Sequence, residues 1–319
     1  MTATFNLGQF INNYEIIGYL GEGGFGQVFK VKNILDSCFY AMKIIDLEGP
    51  SGFEDSAHQE IEALRHLGKE AKNNCCIYLI QEFVFLNCRC IILPLMGLSL
   101  ADMLKNSRNN SLDTNKIRVI TSQLCKALEF VHSKGIAHSD LKLENVLFCQ
   151  KNIDQISELD AIQNIEVCLI DFGCSTFNEF ESDIIVSTRA YRAPENLSSE
   201  EFFRASDIWA LGIMILSLYT GYQIFPFDSE APRPFQQRLD HLHLAAIEIL
   251  TDENLNINAT ARKELYTHFG RSIPMKLQNY QRSAKDKTLF SLLKEMLKPR
   301  PEDRIDVHQI LQHDFFSEN

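Results

Sequence analysis

The segment GIAHSDLKLENVLFC, residues 135–149, packs His138, Asp140, Lys142, Glu144 and Asn145 into eight positions between two apolar stretches. A connection that only turned a corner would be built from Gly, Pro and Ser. A base, a cation and an amide this close together suit proton transfer beside a charged group. A second candidate lies upstream: Gly21-Glu22-Gly23-Gly24-Phe25-Gly26 matches G-x-G-x-x-G. Such glycines let backbone amides approach phosphate oxygens, although many ordinary turns share the pattern. Gln27-Val28 follows Gly26, so the Lys-Ser/Thr ending of a Walker loop is missing. Ala41-Met42-Lys43 then sets a lysine among apolar neighbours, where a cation is costly unless an anion meets it. Glu60 is the obvious partner; the alternative is a surface lysine and a surface glutamate whose pairing contributes little.

The elements that must position these groups can be read from periodicity. Tyr14 and Ile16, then Val28 and Val31, alternate with smaller or polar residues on either side of the glycines. That is a hairpin, unlike the strand–glycine–helix of a dinucleotide site. Phe39 to Ile45 is a third strand, and Ile77 to Phe85 and Cys90 to Leu93 are two more. The spacing of Ile61, Leu64 and Leu67 predicts a helix over 53–67. Beyond Gly97 the pattern turns helical: Ile117, Ile120, Leu124, Leu128 and Val131 mark a long amphipathic helix that stops near Gly135. Further helices are expected at about 205–219, 242–250, 289–297 and 307–311, whereas 251–285 is polar, weakly patterned and reads as a surface insertion. The result is an α+β chain, β-rich first and mainly helical afterwards.

Composition narrows the classes. At roughly 100–200 residues per domain, 319 residues suggest two domains or lobes. No run approaches the ~18 uninterrupted apolar residues of a membrane span, and no basic-then-apolar segment opens the sequence as a secretory signal would. The nine cysteines form no C-x-x-C pair, which fits free thiols in a reducing compartment. His241 and His243 lack a third ligand nearby and read as part of a surface helix. A net charge of −11 makes nucleic acid a poor partner and would attract a basic protein, unless it serves only solubility.

Taken together, these motifs resemble the eukaryotic protein kinase family. His138-Ser139-Asp140-Leu141-Lys142-Leu143-Glu144-Asn145 matches its H-R-D-L-x-x-x-N, and Asp171-Phe172-Gly173 its D-F-G. The order Gly21 loop, Lys43, Glu60, Asp140, Asn145, Asp171, Ala193-Pro194-Glu195, Asp207, Arg304 is also that of the family. The resemblance implies ATP and Mg²⁺ as cofactors, with Asp140 accepting the proton of a protein hydroxyl and Lys142 reaching the transferring phosphoryl group. Lys43 and Glu60 would complete the catalytic set, and Asn145 and Asp171 would hold the metal. It implies nucleotide contacts from Leu20, Gly21, Gly23, Gly24, Phe25, Gly26, Val28, Ala41, Lys43 and Asn145. Leu93 would lie behind the adenine, the Pro94 carbonyl would accept from its amino group and the Met96 N–H would donate back. A bilobal fold is expected, with an N-lobe of about 14–93, a hinge at 94–97, a C-lobe of about 98–319 and a short extension at 1–13.

Within the family, Ser187-Thr188-Arg189-Ala190-Tyr191-Arg192-Ala193-Pro194-Glu195 is similar to the S-T-R-x-Y-R-A-P-E of LAMMER-type kinases of the CMGC group. Leu95-Met96-Gly97-Leu98-Ser99 looks like their hinge, and the long span from Asn145 to Asp171 like their extra hairpin. Leu244-Ala245-Ala246-Ile247-Glu248-Ile249 keeps only part of the naming motif, which leaves the neighbouring dual-specificity kinases as the alternative subfamily. Ser139 replaces the arginine that grips an activation-loop phosphate, so activity without that phosphorylation is expected, with Glu179, Glu181 and Asp183 already acidic. Arg192 would order the substrate end of the loop, and Tyr191 reads as a structural aromatic. The resemblance further implies basic, Arg/Ser-rich protein substrates; charge and hydropathy add the expectation of no direct nucleic acid and no membrane, and a monomer in the nucleus or cytoplasm is expected. The rival classes are a nucleotide-binding pseudokinase scaffold and a small-molecule kinase.

Overall fold

A computed structural model describes residues 5–23, 26–48, 53–106, 111–149, 165–177, 187–198, 204–227 and 233–317. Its first part is a six-stranded antiparallel sheet: β1 (Phe10–Ile11), β2 (Tyr14–Gly23), β3 (Gly26–Asn33), β4 (Phe39–Asp46), β5 (Gln81–Phe85) and β6 (Cys88–Pro94). The strand order is β1-β2-β3-β4-β6-β5. One helix, α1 (Phe53–Leu67), connects β4 to the later strands.

Side-chain alternation gives the sheet two different faces. Met42 and Ile44 of β4 point to the outer face and join Ile16, Phe29, Val31, Cys90 and Ile92 in a small core of their own. Ala41, Lys43 and Ile45 point the other way. Val28 stands opposite Lys43, and Leu93 opposite Ala41. Val28, Ala41 and Leu93 are only partly buried, whereas Ile45 enters the large core with Ile61 and Leu64 of α1. The inner face is therefore apolar at one end, covered by α1 at the other, and carries a lysine between.

The second part is helical: α2 (Leu100–Asn106), α3 (Thr114–Ser133), α4 (Pro194–Leu197), α5 (Arg204–Thr220), α6 (Arg233–Thr251), α7 (Ala259–Phe269), α8 (Lys287–Met296) and α9 (Val307–Leu311). A two-stranded hairpin, β7 (Val146–Phe148) with β8 (Val167–Leu169), lies among them. Asp113 caps α3, accepting from the Asn115 and Lys116 amides. α5 is buried from Asp207 to Tyr219 without a polar face, as a central helix must be. Glu195 and Arg304, both fully buried, form a two-pronged pair at 2.7 and 2.9 Å that ties α4 to the chain after α8.

Three expectations need correction. The strand expected over 77–85 begins only at Gln81, because Ile77 donates its amide to the Leu169 carbonyl and serves the helical part. The stretch 251–285 contains α7, capped by Asn258, with Ala261 and Leu265 buried. His243 lies on the inner side of α6, fully buried between Phe225 and Phe227 at ring distances of 4.7 and 4.4 Å. The span between Cys149 and Ile165, and Glu179, Glu181 and Asp183, lie outside the described residues.

Candidate active site

The buried lysine of β4 finds two anions. Lys43 Nζ stands 2.6 Å from Glu60 Oε2 on α1 and 3.0 Å from Asp171 Oδ1 beyond β8. Lys43 and Glu60 are almost wholly excluded from solvent, which rules out the weak surface pair. Burial alone would lower the Lys43 ammonium, but the Glu60 and Asp171 carboxylates outweigh it and hold the lysine charged. Burial would likewise raise the Asp171 carboxyl, and Lys43 brings it below the ordinary range.

A second cluster forms on the loop after α3. Asp207, on buried α5, accepts from the His138 amide at Oδ2 and the Ser139 amide at Oδ1, both at 2.9 Å. His132 Nε2 also lies 2.9 Å from Oδ2. Turning two successive amides onto one carboxylate requires Ser139 to adopt φ 66°, a strain that Asp207 offsets. Asp140 is thereby presented with both carboxylate oxygens engaged. Oδ1 accepts from the Thr188 amide and hydroxyl, each at 2.8 Å, and Oδ2 accepts from Lys142 Nζ at 2.6 Å. Lys142 Nζ also donates to Thr188 Oγ1 at 3.0 Å. Burial would lower the Lys142 ammonium, yet Asp140, helped by Asp171 and Glu144, raises it.

Asn145 Nδ2 donates to the Asp140 carbonyl at 2.9 Å, and no hydrogen bond engages its side-chain oxygen among the described residues. Asp171 Oδ2 is similarly unengaged. An amide oxygen and a carboxylate oxygen are the hard donors that Mg²⁺ takes, so these two residues fit a divalent cation that keeps other ligands from phosphate and water. Asp171 too has positive φ, 64°, and the His138 ring lies 5.0 Å from that of Phe172. The chain between the two parts is fixed by Gly97 N to Phe148 O, 2.8 Å, and Phe148 N to Leu98 O, 2.9 Å. No hydrogen bond engages the Met96 N–H among the described residues.

The predicted residues thus separate clearly. Lys43, Glu60, Asp171, Asp140, Lys142 and Asn145 converge; Val28, Ala41, Leu93, Pro94 and Met96 lie along the inner sheet face and its exit. Leu20 falls at an irregularity in the β2–β3 register and is about half exposed, at 49%. Gly21, Gly23 and Gly26 form the hairpin, while Gly24 and Phe25 lie outside the described residues. Gly26 has a reason beyond phosphate: a Cβ there would sit 2.4 Å from the Ile44 carbonyl. Sequence reasoning missed Thr188, whose place in the S-T-R-x-Y-R-A-P-E stretch was a usable signal. Tyr191 is buried, and burial pushes its phenol up, which fits a structural aromatic.

Comparison with known proteins finds relatives over nearly the whole chain. The chain is 30% identical over 329 residues to the serine/threonine-protein kinase Doa of Drosophila melanogaster, covering 96% of this chain and 39% of the relative. It is 29% identical to the human dual specificity protein kinase CLK4, covering 95% and 66%. It is 31% identical to the probable dual specificity protein kinase madd-3 of Caenorhabditis elegans, covering 98% and 36%. The chain therefore spans between about a third and two thirds of the length of these relatives. A crystal structure of a kinase domain superposes with a TM-score of 0.80 at 21% identity, over 98% of both chains, and shares the fold. The protein kinase domain family matches residues 14–316, and the chain belongs to it, with relatives of the CLK and Doa kind.

Proposed function

We propose that the chain transfers the terminal phosphoryl group of ATP to Ser and Thr hydroxyls of proteins, with basic, Arg/Ser-rich sequences as its substrates and Tyr as a second acceptor. The observation that carries this reading is that Lys43 of the sheet meets Asp171 of the helical part, close to a second charge cluster of Asp140, Lys142 and Thr188. A scaffold that only bound nucleotide would have no use for the second cluster.

In this reading Asp140 receives the hydroxyl proton, and the Thr188 and Lys142 contacts hold its carboxylate in one orientation. Lys142 balances charge developing beside Asp140. Lys43, fixed by Glu60, meets the phosphates from the sheet side. Mg²⁺ held by Asp171 and Asn145 would neutralise phosphate charge when bound. Val28, Ala41 and Leu93 offer an apolar surface to the base, and the Pro94 carbonyl and Met96 N–H its polar edge contacts; Leu20 and the glycine hairpin, with Gly24 and Phe25, would close over it. The working unit would be an N-lobe at 14–93, a hinge at 94–97 and a C-lobe from 98. All nine cysteines are free, which favours the reducing nucleus or cytoplasm, and the chain would act as a monomer. Among the described residues no helix is long and apolar enough to cross a membrane.

The test is transfer of labelled phosphate from ATP with magnesium to a basic Ser/Thr-containing protein. Asp140→Asn should reduce it by roughly 10²–10⁴-fold. Equal incorporation by wild type and variant would leave only the scaffold.

A further inference from the structure

The segment after Asp171-Phe172 opens with a turn, Ser175 N to Phe172 O at 3.1 Å, and is then held from two sides. Residue 176 spends both backbone groups on Ala137: Ala137 N to Thr176 O and Thr176 N to Ala137 O, each 3.0 Å. That single antiparallel bridge leaves the carbonyl of residue 175, one position earlier, without a partner on Ala137. Ser175 has no solvent exposure, so that carbonyl must find a protein donor.

Helix α1 supplies it. Gln59 Nε2 donates to the Ser175 carbonyl, and Ser56 Oγ donates to the Gly173 carbonyl at 3.3 Å. Seven residues beyond Gln59, the His66 ring meets the Phe177 ring edge-on at 5.8 Å. Ser56, Gln59, Glu60, Ala63 and His66 share one helix face, which meets residues 173, 175 and 177. Gly173 permits the approach, since a Cβ there would stand 3.1 Å from Ser56 Oγ. Behind the segment, Ser139 Oγ and Thr176 Oγ1 lie 3.1 Å apart. The position where an arginine would await a phosphate is occupied by a hydroxyl pair already in contact.

We propose that this face of α1 sets the position of residues 173–177, and that Gln59 is a positioning residue for the phosphotransfer centre. It acts through Ser175 on the segment that carries Asp171, and it needs no phosphate. Its kinetic consequence rests on the kinase reading above; its structural consequence does not.

The test uses the full chain after phosphatase treatment, with Gln59→Met, equal in length but without a donor, and Gln59→Lys, which restores one. Losing one donor to a buried carbonyl should raise amide exchange over residues 175–177 about tenfold, while exchange in α3 stays at the wild-type rate. In the same samples kcat should fall about tenfold with the KM for ATP changed less than about twofold, and Gln59→Lys should recover most of both. Exchange in Gln59→Met equal to wild type would overturn the proposal. So would protection lost equally from α3, because that is general destabilisation. If wild type transfers no phosphate at all, the functional reading fails, and the exchange measurement still decides this one.

Discussion

At the residue scale, the informative feature is that Lys43 joins a buried structural pair to the proposed chemistry. Its ammonium neutralises Glu60, a carboxylate with almost no solvent access. Removing one partner of such a pair costs about 3–5 kcal/mol, because the other charge stays buried and unmet. Lys43→Met should therefore lower the unfolding free energy by about that amount and abolish transfer. Lys43→Met with Glu60→Met should recover most of the stability and none of the activity, and denaturant unfolding of the two variants beside an activity assay measures both. Stability that failed to recover would mean that Asp171, the other anion on Lys43, carries much of the cost of losing the ammonium. Lys43 and Glu60 were legible in the sequence because a cation is costly in apolar surroundings, and Asp171 only through the resemblance of Asp171-Phe172-Gly173 to D-F-G. The bonds from Gln59 and Ser56 were not, because a backbone carbonyl leaves no mark in a residue code.

At the element scale, legibility followed periodicity and failed where packing came from elsewhere. Helix α1 was predicted at its observed bounds from Ile61, Leu64 and Leu67. The expected surface role for His243 failed because Phe225 and Phe227, remote from α6 in sequence pattern, fold over it. Helix α7 was missed because it buries little beyond Ala261 and Leu265. Its docking comes from charge: Glu248 Oε2, on α6, accepts from Arg262 Nε at 2.7 Å, and Glu248 Oε1 accepts from the Leu255 amide at 2.9 Å. The buried His243 predicts a pH response for this region. Burial, and then Arg189 and Arg192, hold its imidazole well below the ordinary value, so the folded chain keeps it neutral. The unfolded chain takes up the proton below about pH 6.5, hence stability is fully present above that value and falls below it, by about 1.4 kcal/mol per pH unit at most. His243→Leu should flatten the dependence of the urea midpoint between about pH 6.5 and 5. An unchanged slope in that window would assign the response to other groups.

At the scale of the whole molecule, two cores and one cleft explain why the parts converge. The outer sheet face closes its own small core, which leaves the inner face free to present Val28, Ala41, Lys43 and Leu93 toward the helical part. The large core runs continuously from α1 through α3 and α5 to α9, so Glu60, Asp140 and Asp207 are anchored in one packed body. Around this body the chain carries a net charge of −11, and Glu22 on the glycine hairpin and Glu144 on the Asp140 loop are both exposed. A negative surface around a cleft raises the encounter rate of a positive partner, and salt removes that advantage as the screening length shortens from ~30 Å at 0.01 M to ~8 Å at 0.15 M. For an Arg-rich Ser peptide, kcat/KM should then fall roughly tenfold over this range, mostly through KM. A neutral peptide with the same acceptor should lose much less, because it was never steered. Glu144→Gln should reduce the salt dependence for the Arg-rich peptide while leaving the neutral one unaltered. Equal salt dependence for the two peptides would mean that the acidity serves solubility and that substrate choice is made by contacts within the cleft.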